Sequence, residues 1–176
     1  MRHRESGTNF ECGKSIVTSL AWSQKLFTQF YCGTAGQQVL VYDLNVVNPI
    51  QKMGYSGLQV NSIKAAFDKP AILCACEDGV VRQFDCDGNK LVNNFTGHTD
   101  SICGLSMSRN GNNFVTGGHD GKICLWDLRK AQLVCQLDQC HYKKYDEVIH
   151  SVLFLDDFNC VVSAGADGDI NFWEIV

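Results

Sequence analysis

The chain reads as a succession of short apolar runs separated by clusters of Gly, Asn, Asp and Ser. No segment sustains a helical period or carries a helix-capping signature, so strands are the expected element throughout. Four of the runs end in an aromatic-acidic pair: Tyr42-Asp43, Phe84-Asp85, Trp126-Asp127 and Trp173-Glu174, at spacings of 42, 42 and 47 residues. In three of them a turn pair lies six residues before the aromatic, namely Asp78-Gly79, Asp120-Gly121 and Asp167-Gly168. Asp-Gly accepts the positive φ angles of a two-residue hairpin, so each pair is expected to join antiparallel strands.

The third repeat is the clearest. Residues 102–107, 114–118, 122–127 and 131–137 read as four strands, with a turn at Arg109-Asn110-Gly111-Asn112. The second repeat follows the same plan, with strands near 60–66, 71–76, 80–85 and 90–95. The first repeat offers three strands, near 16–22, 27–32 and 38–43, and the fourth also three, near 149–154, 159–163 and 169–175. A period of ~40–45 residues with four strands per unit is the blade repeat of a WD-repeat β-propeller. The expected fold is therefore all-β: a polar segment at 1–14, then four blades at about 15–58, 59–96, 97–139 and 140–176. The last blade lacks an outer strand of its own. Four such blades are expected to form an open arc rather than a tight ring, leaving two sheet faces exposed for self-association.

The repeats also align a set of polar residues. His98, Thr116, Asp120 and Trp126 stand at corresponding places to His141, Ser163, Asp167 and Trp173. The carboxylate can accept from His and from turn amides, the His can bond the hydroxyl, and the hydroxyl can accept the indole N–H. Such a chain satisfies each buried polar group and locks a blade. The second repeat keeps Asp78 but has Cys74 and Phe84 in place of hydroxyl and indole, and the first lacks the set. A His–Ser/Thr–Asp group also suits nucleophilic catalysis. However, its recurrence by repeat, its ending on Trp and the lack of an oxyanion site favour a structural role. No phosphate-binding glycine loop, G-x-S-x-G or H-E-x-x-H occurs, so the chain reads as a non-enzyme without cofactor.

The longer last spacing places five extra residues in Cys140-His141-Tyr142-Lys143-Lys144-Tyr145-Asp146-Glu147. Propeller insertions sit on the rim of one face and often meet partners, and tyrosines with paired charges suit an interface edge. The candidate partner-binding residues are Tyr142, Lys143, Lys144, Tyr145, Asp146 and Glu147, joined by Asp100 and His119 on the same expected face. The alternative is a solvated loop.

Composition narrows the picture. Of 176 residues, 45% are hydrophobic and 19% charged, which excludes a disordered or low-complexity chain. Lys plus Arg is 15 against 19 Asp plus Glu, a net charge of −4, which disfavours nucleic acid as a partner. No apolar run reaches the ~18 residues of a membrane span. The N-terminus, with Arg2, His3 and Arg4, lacks the apolar core of a secretory signal. Ten cysteines force a choice of compartment. Cys32, Cys74, Cys76, Cys103, Cys124, Cys135 and Cys160 lie in apolar runs and read as reduced core residues of a cytoplasmic protein. Cys74-Ala-Cys76 has no second pair at zinc spacing, and Cys140-His141 is isolated, so metal binding is not expected. A cysteine-based redox or metal response remains the rival from another functional class.

One stretch carries a more specific resemblance. His141 to Val152, with its insertion, and Val162-Ser-Ala-Gly-Ala-Asp near the chain end are similar to the last blade of the striatin family. Ser15-Ile-Val-Thr-Ser-Leu, Cys76-Glu-Asp-Gly and Gly118-His-Asp-Gly-Lys-Ile-Cys-Leu-Trp-Asp align in the same order, so the resemblance covers about residues 15–176. It implies a regulatory and scaffolding role in assemblies of type 2A serine/threonine phosphatase with kinases. A generic WD-repeat adaptor in an unrelated complex is the alternative. Striatins also carry a coiled coil and calmodulin- and caveolin-binding segments. No heptad stretch or basic amphipathic helix is found here, so calmodulin binding does not carry over. The family propeller exceeds four blades, and the match is to its final four, so the shortening is expected at the N-terminal side.

Overall fold

Antiparallel strands recur along the described residues of the computed structural model, which are 7–54, 58–67 and 71–175. Blade 1 comprises β1 (Val17–Trp22), β2 (Gln29–Thr34), β3 (Gln38–Asp43) and β4 (Val46–Gly54). Blade 2 comprises β5 (Val60–Ala65), β6 (Ala71–Cys76), β7 (Val80–Asp85) and β8 (Lys90–Thr96). Blade 3 comprises β9 (Ile102–Met107), β10 (Asn113–Gly118), β11 (Ile123–Asp127) and β12 (Gln132–Leu137). Blade 4 comprises β13 (Ile149–Leu155), β14 (Cys160–Gly165) and β15 (Ile170–Glu174). Each sheet is ordered as its strands follow in sequence. The only helical piece among the described residues is a 3₁₀ turn at Asp156–Phe158. No helix there is long and apolar enough to cross a membrane.

Two details of the blades differ from the sequence expectation. Blade 1 has a fourth strand, β4, which carries Pro49. Proline cannot donate to a sheet ladder, and an outermost strand is where it is tolerated. The hairpins after β6, β10 and β14 are not two-residue loops with two positive φ angles. Only the glycine is left-handed, at +74°, +76° and +93° for Gly79, Gly121 and Gly168. Its amide bonds back to the carbonyl three residues earlier: Cys76, Gly118 and Gly165 respectively. This is a turn with a glycine bulge behind it, a three-residue solution. Gln37, with φ of 61°, holds the same place in blade 1. A glutamine at that position hides the first repeat's turn from sequence inspection.

The core lies between blades. Tyr31, Val39, Val41 and Met53 of blade 1 pack on Val60, Ile63, Ile72 and Phe84 of blade 2. Leu73, Ala75, Val81 and Phe95 of blade 2 pack on Ile102, Leu105, Phe114 and Trp126 of blade 3. Val115 and Ile123 of blade 3 pack on Ile149, Val152 and Val161 of blade 4. The innermost strands meet in succession, β1 with β5, β5 with β9 and β9 with β13. Close approach there depends on small residues. A Cβ on Gly33 would stand 2.7 Å from Val60, and one on Gly117 would stand 2.7 Å from both Ile149 and Val152. Blades therefore join by branched side chains seated over glycine or alanine.

The N-terminal segment is less featureless than its polarity suggests. Phe10 and Cys12 pack on Cys32, Leu40 and Tyr42 of blade 1, and the Tyr42 hydroxyl donates to the Glu11 carbonyl at 2.8 Å. Arg2, His3 and Arg4 lie outside the described residues.

All ten cysteines are thiols outside any disulfide. Cys32, Cys74, Cys76 and Cys124 are buried, but Cys103 and Cys160 are only half-buried and Cys135 is exposed. The core assignment therefore fails for these three. Cys135 lies on outer strand β12, whose apolar run covers a sheet edge rather than an interior.

Candidate interaction loop and its anchoring network

Blades 3 and 4 each close around one chain of side-chain hydrogen bonds. In blade 3, His98 Nδ1 lies 3.0 Å from Asp120 Oδ1 and its Nε2 lies 2.8 Å from Thr116 Oγ1. The Trp126 indole donates to the same hydroxyl at 2.9 Å. Since Nδ1 faces a carboxylate, it carries the proton, Nε2 accepts from the Thr116 hydroxyl, and that oxygen accepts from Trp126. In blade 4 the distances are 2.9 Å for His141–Asp167, 2.7 Å for His141–Ser163 and 2.9 Å for Trp173–Ser163. His98, Thr116, His141 and Ser163 are buried. Each hydroxyl is therefore consumed between an imidazole and an indole, with no face open to a substrate.

The carboxylates also organise backbone. Asp120 accepts the amides of Thr99 and Lys122. Burial alone would raise its pKa, but His98 and these amides outweigh it and hold the carboxyl below its usual range. Asp167 accepts the amides of Tyr142 and Asp169. The Tyr142 amide and His141 hold its pKa down at about 2.

Blade 2 reaches the same end differently, through a residue that sequence reasoning missed. Arg82 is buried and grips Asp78 with both terminal guanidinium nitrogens, at 2.9 and 2.6 Å. The side-chain bond to Arg82 lowers the Asp78 pKa. The signal was positional: Arg82 stands 42 residues before Cys124, a buried place where an arginine requires an anion.

The loop between β12 and β13 grows from the blade 4 network. Its first residues, Cys140 and His141, are buried, and the Cys140 amide donates to the Gly121 carbonyl at 3.0 Å. Beyond Tyr142 the chain folds into a miniature hairpin. Lys144 and Glu147 exchange both backbone bonds, at 2.9 and 3.0 Å. Tyr145 and Asp146 occupy its tip with φ of 54° and 67°, the two positive angles of a primed turn. Lys143 pairs with Asp146 at 2.8 Å, and the Lys144 ammonium stands 5.8 Å from the Tyr145 ring centre. Tyr142 and Tyr145 are left 81% and 89% exposed.

Neighbouring groups extend this end of the molecule. Glu147 pairs with His150 at 3.4 Å, the His150 ring stands 6.2 Å from that of His119, and His119 Nε2 lies 3.1 Å from Cys103 Sγ. Burial pushes the Cys103 thiol above its ordinary pKa, which disfavours a reactive thiolate. Asp100 is exposed in the turn before β9 and adds its negative charge near Lys143. His150 was not expected from sequence, because it lies within an apolar strand run and only its outward alternation exposes it. Among the described residues no cluster of His, Cys, Asp or Glu is arranged to hold a metal ion.

Comparisons with known proteins agree with this architecture. The family described as WD domain, G-beta repeat, matches residues 89–127 and 133–174. Striatin-3 of Rattus norvegicus is 30% identical over 149 residues, 81% of this chain and 18% of the relative. Striatin of Mus musculus is 29% identical over 143 residues with the same coverage. Striatin-4 of Homo sapiens is 27% identical over 156 residues, 86% of this chain and 21% of the relative. The chain thus spans about a fifth of the length of these relatives. Repeats and relatives together support a protein-interaction scaffold. The chain thus carries WD repeats within a succession of four propeller-type blades, and over about four fifths of its length it is similar to striatin-family proteins.

Proposed function

We propose that this chain is a non-catalytic scaffold that presents the Tyr142–Glu147 hairpin to a protein partner, and that the partner belongs to an assembly of type 2A serine/threonine phosphatase and kinases in the cytoplasm. The observation that carries the reading is the contrast within one loop. Its base is locked by His141 and Asp167, while two tyrosines stand almost fully in solvent on a tight hairpin. A surface ordered before binding loses little conformational entropy on association, and tyrosine is enriched among interface residues that dominate affinity. Asp100, His119 and His150 border the hairpin and supply charge-dependent selectivity. The likeness to striatins supports the phosphatase–kinase assignment over an unrelated adaptor role.

The test is capture of the purified phosphatase scaffold subunit by the immobilised chain. Binding is expected, and the double change Tyr142→Ala, Tyr145→Ala is expected to weaken it at least about tenfold with an unchanged far-ultraviolet spectrum. Capture that ignores the tyrosines would remove the hairpin from the account. No capture of the subunit would overturn the phosphatase assignment.

A further inference from the structure

The two end blades carry complementary halves of the same blade-to-blade joint. In the three internal joints the leading blade offers a small residue or its equivalent: Gly33, Ala75 and Gly117. Ala164 stands at that place in blade 4. Beside it, Val39, Val81 and Ile123 are buried by the next blade. Their equivalent, Ile170, is 65% exposed, and Phe172, equivalent to buried Val41 and Leu125, is 71% exposed. Blade 4 thus keeps an apolar joint surface. Blade 1 keeps the other half. Val17 and Leu20 occupy the places of buried Val60 and Ile63, and Leu20 is 64% exposed.

An aromatic cluster shows how far the match extends. Phe95, on the outer strand of blade 2, meets Phe114 and Trp126 of blade 3 at 4.9 and 5.7 Å and at 86° and 75°. Phe114 and Trp126 are themselves nearly parallel, at 11°. Phe10 meets Phe30 and Tyr42 of blade 1 at 5.2 and 5.6 Å and at 85° and 76°. Phe30 and Tyr42 are likewise nearly parallel, at 10°. Phe10 therefore stands on blade 1 where the outer strand of a preceding blade stands on blade 3. Blade 4 has no outer strand among the described residues.

We propose that two copies of this chain associate head to tail, the fourth blade of one packing on the first blade of the other. Ile170 and Phe172 cover Leu20, Trp22 and Phe30 of the second copy. Val17 seats over Ala164, and the second copy's segment around Phe10 lies beside β15 in the place of an outer strand. The joint is heterologous, and two copies close it into a ring of eight blades, within the range that propellers adopt. Closure would bury both apolar faces and both sheet edges.

Light scattering of the chain at tens of micromolar is expected to give the mass of two chains. The double change Ile170→Asp, Phe172→Glu alters only exposed side chains, and it is expected to give single chains with an unchanged circular dichroism spectrum. Leu20→Glu is expected to do the same from the other side. Mixing the two variants is the decisive arm, because one intact joint remains and a two-chain species returns. Single chains in the unaltered protein, growth beyond two chains, or a mixture that stays monomeric would each overturn the proposal.

Discussion

At the scale of single residues, buried polar groups are what make the blades specific. Thr116 and Ser163 each satisfy an imidazole and an indole at once, and leaving such a group unpaired costs about 1–3 kcal/mol. Asp167 adds a dependence on pH. Its carboxyl titrates at about 2 in the folded chain and at ~3.9 when unfolded. Between those values the unfolded state binds more protons, so the Asp167 contribution is complete above pH ~4 and is lost as the pH falls toward 2. Acid titration followed by Trp173 fluorescence should show blade 4 loosening in that window. Asp167→Asn should lower stability at neutral pH and flatten the dependence, whereas an unchanged acid transition would contradict it.

At the scale of elements, the joint between blades depends on side-chain volume. Gly117→Val would push a branched side chain into Ile149 and Val152, and overpacking of this kind costs about 1–3 kcal/mol. A lowered urea midpoint with unchanged slope is the expected result, and a neutral outcome would mean that the blades do not pack there. The same scale shows what sequence could reveal. The beat of Tyr42, Phe84, Trp126 and Trp173 exposed the four sheets, because the aromatic sits at a fixed place relative to a turn. Outer strand β4 escaped notice since Pro49 breaks strand statistics, and the first turn since Gln37 stands in the glycine's place. The residues of the blade 3 network were visible together because all four types recur at matching positions. Arg82 was not, because it solves the burial of Asp78 with a different chemistry. His150 escaped because its exposure depends on which face of β13 turns outward.

At the scale of the whole molecule, four sheets fan about one axis, each joined to the next by a repeated apolar seam, and blades 2, 3 and 4 are also locked internally by buried polar groups. The Tyr142–Glu147 hairpin is held out from the third seam, which is how a stack of otherwise similar units acquires one distinctive surface. Hydrogen–deuterium exchange read along the chain tests this most directly, since the middle strands of each sheet bond on both sides and the outer strands on one. Slow exchange should recur across residues 29–43, 71–85, 113–127 and 160–165, with fast exchange between them at 46–54, 90–96 and 132–137. Protection without that fourfold recurrence, or strongest at the outer strands, would contradict the account.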